Sequence, residues 1–506
     1  MAFSGYDALV IGAGVGGPAA GAILAKKEGM KILVLEKAPR IGGRDISFDG
    51  RAFNPEEYKK LTMEAAHTWF VRSEPPLEEI QKRALLDGYT IEAGIHVLPH
   101  SEKGRTNILI NYLGKTIDLY PALSAGWWHG GKLYRFERGS EKGGNFPWMD
   151  QKARDETGKI NRMMVMLSAE EAHRYDHVSL QEWMESRTGN EDTKEFHYVN
   201  ATMNCTLNYP WTISAGDCIL MNRAVSRAGK RFSMGGCSTV GAPGFVQVPR
   251  RLCEVIEENG GKVLTNARAK EVLVENRKVK GVLVEIDGKE EKISCPIVIN
   301  SGIVQEMFRY IPEKHFPTDF VKKVKGFWRA GAGLVYFGLK KEVVQEHLSF
   351  VPAILGKKDG FQGDIRMGCW ASSSMDPTRA PKEKQLLDVY VSLMDTETRN
   401  RTLVDKAYFA MKSYFEQHYP GFKEAFEWSI YTVTDTLVGV AQAPGQVGDQ
   451  KPRAKSPHIE GLFFASDTSE CSMACNDAAV HAGIIAASRI SGKDYVSEIL
   501  PDYHQD

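Results

Sequence analysis

Residues whose types and spacing could do chemistry begin almost at the N-terminus, in the run Gly12-Ala13-Gly14-Val15-Gly16-Gly17. The glycines answer three needs: Gly12 permits a tight turn, Gly14 lets the backbone approach a pyrophosphate, and Gly17 lets a helix pack close to a strand. A helix opening here points its unpaired N–H groups at the phosphates, so no cationic side chain is required. Nineteen residues after Gly17, Glu36 closes a second apolar run. A carboxylate at that point accepts hydrogen bonds from both ribose hydroxyls and repels a 2′-phosphate. The chemistry indicated is binding of an adenine dinucleotide. A glycine turn without ligand is the alternative, and it leaves the agreement of turn, helix and terminal acid unexplained.

The elements that must hold these residues are legible around them. Tyr6-Asp7-Ala8-Leu9-Val10-Ile11 has the pattern of a buried strand, Pro18 to about Lys27 is a small-residue helix, and Lys31-Ile32-Leu33-Val34-Leu35 is a second strand. The chain has 506 residues, enough for roughly three domain-sized units. With 64 basic against 64 acidic side chains its formal charge is zero, so a nucleic-acid footprint is not indicated. Composition, 42% hydrophobic and 25% charged, is that of a globular protein, and no apolar run reaches transmembrane length. The N-terminus lacks the basic segment of a signal peptide, which makes a cytoplasmic location the expectation. Eight cysteines without a Cys-x-x-Cys pair give neither a disulfide framework nor a zinc signature, so no metal is expected.

After the second strand comes Lys37-Ala38-Pro39-Arg40-Ile41-Gly42-Gly43-Arg44. The run from Asp7 to Arg44 resembles the FAD-binding start of the amine oxidase and phytoene desaturase superfamily. The resemblance implies FAD, with Gly42, Gly43 and Arg44 along the pyrophosphate and flavin, and Val15, Gly16 and Lys37 beside them in the cradle. A surface salt bridge is the plainer reading of Arg44. Residues 54–86 look like a helical insertion: Asn54 caps, Pro55 fits the first turn, Tyr58, Leu61, Ala65 and Trp69 share a face, and Pro75-Pro76 precedes a second helix. This is read as a packed hairpin, with a substrate lid or a peripheral membrane contact as the alternative. The next stretch, around Gly94-Ile95-His96, resembles the family strand beside the flavin ring, making His96 a candidate proton carrier as against a structural histidine.

Residues from about Leu119 to Trp211 are rich in aromatics, among them Trp127, Trp128, Tyr134, Phe136, Trp148, Trp183, Tyr198, Tyr209 and Trp211; most such residues belong to the core, and those around Trp127 to Trp211 are expected to wall an apolar substrate cavity. The chain then returns to the nucleotide fold over 236–302. By resemblance, backbone near Ala269 faces the adenine end. Gly331-Ala332-Gly333 continues as a strand with no helix behind it, so no second pyrophosphate site and no nicotinamide domain is visible. Finally, Asp467 ends a buried strand, and the small-residue helix containing Ala478 would present its N-terminus to the flavin. By resemblance both meet the cofactor. Cys471 and Cys475, four apart, are either a redox pair on one helical turn near the flavin or two small buried residues.

The expected fold is α/β: a discontinuous Rossmann-like FAD-binding domain (1–53, 236–302, 443–506, with a junction at 87–118) carrying an inserted α+β substrate domain (119–235, 303–442). The expected activity is FAD-dependent oxidation or reduction of a C–C bond in an apolar, isoprenoid or alicyclic substrate, with His96 and Cys471 as candidate catalytic residues. Amine oxidation and a non-enzymatic FAD-binding escort are the rivals. Electrons are expected to pass to or from a quinone, oxygen or a redox protein.

Overall fold

A computed structural model describes residues 5–94, 97–122, 124–129, 132–137, 148–227, 237–344, 348–350 and 353–501. A five-stranded parallel sheet runs in the order Lys262–Leu264, Ile32–Leu35, Ala8–Ile11, Val298–Asn300, Leu462–Phe464. Val10 lies opposite both Val34 and Ile299. All but the Lys262–Leu264 edge strand are buried throughout, as continuous apolar runs require of a sheet covered on both faces. Alternation sorts their side chains. Val10, Ile32 and Val34 pack under the helices Gly16–Glu28, Gln247–Glu258 and Cys475–Ser491, whereas Leu9, Ile11, Leu33 and Leu35 face a three-stranded antiparallel excursion spanning Ala267–Glu275, Lys278–Ile286 and Lys289–Ser294.

The second body is a nine-stranded sheet. Its central strands are Phe426–Val438, Ala330–Leu339 and Gln385–Met394, and the hairpin of Ser124–His129 and Lys132–Glu137 lies at one edge. Helix Arg401–His418 covers one face. Helices including Gln151–Met166, Leu180–Glu185, Glu191–Cys205 and Ala215–Arg227 lie on the other side. The strand expected at Gly331-Ala332-Gly333 is present and wholly buried; Gly333 leaves room for the Tyr431 ring.

The helical reading of 54–86 needs correction. Asn54 does cap a helix at Pro55–Ala66, its side chain accepting from Glu57 N at 2.9 Å. But His67 turns left-handed (φ 53°), and Thr68–Glu74 is the edge strand of the nine-stranded sheet, paired with Phe426–Val438, before a short helix at Leu77–Lys82. Trp69 therefore belongs to a strand, not to the helix face of Tyr58 and Leu61. The bulky run Thr68-Trp69-Phe70-Val71 fits a pleated surface better than a helix, and an open sheet edge was waiting for it.

Candidate functional site

The glycine turn stands where the first strand meets the first helix. Gly12 is left-handed (φ 102°), a conformation that side chains disfavour. A Cβ on Gly17 would lie 2.5 Å from Val10 Cγ1 and 2.6 Å from Ser301 Cβ, whereas one on Gly14 would meet nothing within 4 Å. Gly17 is thus closed by the protein's own packing and Gly14 opens onto free space. Gly17 N–H also donates to Ser301 Oγ at 2.9 Å, tying the turn to the end of the fourth sheet strand in the order above.

That space is a cavity lined by Gly12, Gly14, Val15, Gly16, Glu36, Lys37, Gly42, Gly43, Arg44 and Asp467, which brings ten of the expected binding residues together. Glu36, 5% exposed, accepts from the backbone N–H of Ala13 and of Ala38, each at 2.8 Å. Burial pushes its carboxyl up against those hydrogen bonds. A carboxylate has about four acceptor positions, so two remain for ribose hydroxyls. Gly42 (φ 138°) and Gly43 (φ 57°) carry the chain across the turn, Gly42 N–H donating to Ala13 O at 3.0 Å.

Arg44 is not a surface salt bridge. Its guanidinium holds Asp467 through two bonds of 2.9 and 2.6 Å, joining residues 423 positions apart. Burial pushes the Asp467 carboxyl up, but Arg44 and the Gly439 N–H more than offset it, so the group lies below the ordinary value. Asp45, also on the cavity, accepts from Asn476 Nδ2 at 2.8 Å and is pushed up to about 8 by burial, with the Glu92 charge adding to it. Asn476 belongs to the closing helix Cys475–Ser491, whose N-terminal turn reaches the cavity through Cys475, Asn476 and Ala479.

Other expected residues lie elsewhere. His96 falls outside the described residues. Ala478 sits one helical step off the cavity face, packed with Cys471 and Ala482, and Ala479 takes its place. Ala269 is in the antiparallel excursion, paired with Val284, and is not among the cavity lining. Cys471 and Cys475 do not share a helical turn: Cys475 opens the helix, while Cys471 lies in the preceding loop, its Sγ 3.5 Å from Asp467 O and 3.8 Å from Lys451 Nζ. They line separate cavities, and seven of the eight cysteines are buried. Met473 (φ 75°) and Cys475 (φ 58°) adopt left-handed backbones, so this segment takes a glycine-like path without glycines. Missed altogether were Asp45, His67, Ser301 and Asn476. The position of Asp45 beside Gly43-Arg44 was the available signal; the others reach the cavity only through long-range packing.

The aromatics divide. Successive residues on a strand face opposite sides, so Trp127 joins Tyr134, Trp148, Phe196, Trp370 and Tyr390 in an apolar cluster that includes Leu437, a cavity residue. Trp128 turns to the other face, its indole N–H donating to Tyr419 at 2.9 Å. Trp183 and Tyr198 belong to the helical cluster that also holds Ala474 and Cys475. Tyr209 and Trp211 stack on each other at 4.8 Å near the surface side of that body, Trp211 being exposed. The side chain of Phe136 lies outside the description. A single aromatic wall from Trp127 to Trp211 is therefore corrected to one subset that reaches the cavity.

A parallel nucleotide sheet with this turn, its terminal acid and a second sheet closing over the cavity define a dinucleotide-binding oxidoreductase architecture. The model for flavin containing amine oxidoreductases matches residues 19–491, and the chain belongs to that family. Over 363 residues it is 25% identical to the inactive all-trans-retinol 13,14-reductase of Danio rerio, covering 65% of this chain and 54% of that one, so the chain spans about half the length of this curated relative. An oxidoreductase from Methanosarcina mazei superposes with a TM-score of 0.70 at 15% identity over 96% of this chain and all of that one. Cyclohexylamine oxidase from Brevibacterium oxydans gives 0.60 at 13% identity over 97% and 99%. The two structural likenesses speak to fold.

The cofactor is FAD. Gly14 and Gly43 would face its pyrophosphate, Glu36 its ribose, and Arg44 with Asp467 its middle, a fit carried by the open space at Gly14. When bound, FAD supplies a two-electron hydride acceptor or donor. The protein's part is to hold it between the parallel nucleotide sheet and the nine-stranded sheet. Among the described residues no helix is long and apolar enough to cross a membrane.

Proposed function

We propose that the protein is a FAD-dependent oxidoreductase that desaturates or saturates a C–C bond of an apolar, isoprenoid or alicyclic substrate by hydride exchange with the flavin. The observation that carries this reading is the apolar cluster of Trp127, Trp148, Phe196, Trp370 and Tyr390 meeting the cofactor cavity at Leu437. An uncharged hydrocarbon is buried there with no charge to desolvate. The partial likeness to the inactive all-trans-retinol 13,14-reductase supports a polyene-like substrate, that protein's own name recording no activity.

The electron partner proposed is a quinone, oxygen or a redox protein, because the second glycine cluster lies within a strand and offers no helix N-terminus to a nicotinamide pyrophosphate. The test is anaerobic absorbance of the flavin with retinol, dihydro-isoprenoids, putrescine and cyclohexylamine, together with NADH and NADPH. Redox exchange with the isoprenoids and none with the amines supports the reading. Bleaching by an amine at an ordinary turnover rate, about 1–10³ per second, replaces it with C–N oxidation. Bleaching by NADPH at that rate removes the proposed electron partner.

A further inference from the structure

A second cavity, of about 740 Å³, shares a wall with the cofactor cavity: within the segment Asp467–Cys475, Asp467 and Cys475 line the first, Cys471 and Ser472 the second. Its size is that of a small-molecule site. One of its lining residues is His481 of the closing helix, 8% exposed. Two donors fix this ring. The guanidinium of the wholly buried Arg105 and the Ser472 N–H both donate to Nδ1, each at 3.2 Å, so Nδ1 carries the lone pair and the proton sits on Nε2. Burial, with the Arg105 charge adding to it, keeps the imidazole neutral. Nε2–H, on the opposite edge of the ring, has no protein acceptor among the described residues and opens to the cavity. A side chain so buried, with a donor left over at open space, is completed by an acceptor from outside the protein.

The walls decide the charge of that acceptor. Arg453, from the loop before the strand Leu462–Phe464, and Arg489, from the closing helix, converge on one carboxylate, Glu470, at 3.6 and 3.9 Å, and Glu470 also accepts the Ala454 N–H at 2.9 Å. A single acid therefore leaves most N–H groups of two guanidiniums available. Lys455 lines the same cavity with no acidic partner among the described residues, while Lys493 is held by Glu28. Of the remaining acids, Asp494 caps its own short helix through Ser497, and Asp449 lies at the surface. With Arg105 behind His481, cations outnumber acids. We propose that this cavity binds a small organic anion, its oxyanion head accepting from His481 Nε2–H and meeting Arg489 and Arg453, its apolar part lying along Ile485 and Val496. The head is a carboxylate or a phosphate, the two oxyanions that a guanidinium pairs with in bidentate fashion. The site is independent of which bond reacts at the flavin.

The test titrates the FAD-loaded protein, labelled with nitrogen-15 in histidine, with octanoate, octyl phosphate, octanol and inorganic phosphate at constant ionic strength. Long-range proton–nitrogen spectra should show the His481 ring, assigned by its absence in His481→Asn, with Nδ1 bare and Nε2 protonated. Its Nε2–H signal should move saturably with octanoate or octyl phosphate, at lower concentration than with inorganic phosphate, and not with octanol. The octyl probe that binds more tightly identifies the head group. Arg489→Gln, at a side chain 58% exposed, should weaken that probe by about 10-fold, the loss of one charge-assisted hydrogen bond. A proton on Nδ1, a signal that no probe moves, saturation by inorganic phosphate alone, a response to octanol equal to that of the anions, or an affinity unchanged in Arg489→Gln each overturns the proposal.

Discussion

The nucleotide side and the substrate side of the cavity are built by opposite means. On the nucleotide side Gly12, Gly14, Val15, Gly16, Glu36, Gly42, Gly43 and Arg44 come from a stretch of 33 residues (12–44), each within reach of a strand end. On the substrate side Ala65, Thr68, Thr434 and Leu437 meet because two strands some 360 residues apart in sequence pair at one sheet edge, Thr68 opposite Thr434. Local motif fixes the first surface and global topology the second. Mutations should therefore act on the first through ligand or turn, and on the second through the sheet.

The largest effects should separate two glycines of the same turn. Gly17→Val puts methyl groups into Val10 and Ser301, and we expect a loss of about 1–3 kcal/mol or more, read as a lower urea midpoint of both apo- and FAD-loaded protein. Gly14→Ala meets nothing within 4 Å, so the apoprotein should unfold within about 0.5 kcal/mol of wild type while FAD occupancy collapses. A Gly14→Ala protein that retains its full yellow colour would break the assignment of that space to the pyrophosphate.

Next in size is the bridge between the two ends of the chain. Arg44→Ala takes the hydrogen-bonded cation from the 2%-exposed Asp467, leaving it the Lys451 charge alone, and should cost about 3 kcal/mol, whereas Asp467→Asn together with Arg44→Ala should recover part of it. The pH dependence carries a sign. The Asp467 carboxyl is lowered in the fold, so its contribution is present above about pH 4 and drains as pH falls through the folded value. Asp45 is raised, so its contribution is complete below about pH 4 and declines as pH rises toward about 8. Thermal melts should show Asp467→Asn flattening the limb below about pH 4 and Asp45→Asn flattening the decline between about pH 4 and about pH 8. Identical limbs in both variants would refute the opposed titration.

The same division explains what could be read from sequence. Glycine spacing, apolar runs and Glu36 are local signals, and the first βαβ unit with Gly12, Gly14 and Glu36 follows from them, whereas Gly42, Gly43, Arg44 and Asp467 are implied by the family resemblance. The strand at Thr68–Glu74 was hidden because its partner lies near Thr434, and its alternation is masked by a helix that ends at a non-glycine left-handed residue, His67. The Cys471–Cys475 spacing misled for a related reason: four residues make a helical turn only if the helix has already begun, and here it begins at Cys475. Ala478 missed the cavity by one residue because helix phase depends on where that first turn starts.

A smaller effect should distinguish the two neighbouring tryptophans. Trp127→Phe changes the cluster that reaches Leu437 and should alter KM for an apolar substrate and shift the flavin spectrum, at a modest stability cost. Trp128→Phe loses the hydrogen bond to Tyr419 on the far face, worth about 0.5–1.5 kcal/mol, and should leave KM and spectrum alone. Equal changes in KM from both would mean that the sheet does not separate the two faces.

The smallest effect belongs at the joint between the two regions, His67, which caps helix Pro55–Ala66, precedes the edge strand and lines the cavity. Its ring lies 3.7 Å from Glu306, which looks like an ion pair. Burial, with the charges of Lys37, Arg329 and Arg44 adding to it, instead holds the imidazole down to about 4 against the pull of Glu306, so the ring is neutral at pH 7. Glu306 has Arg329 at 3.0 Å as its working partner. His67→Gly thus removes no charge pair at neutral pH and relieves a left-handed backbone worth about 1–2 kcal/mol, offset by lost contacts and by the flexibility of glycine. The net change should stay within about 1 kcal/mol, measured by urea unfolding at pH 7. A loss above about 2 kcal/mol, vanishing at high salt, would show that His67 is charged and that electrostatics rather than backbone geometry joins the two sides.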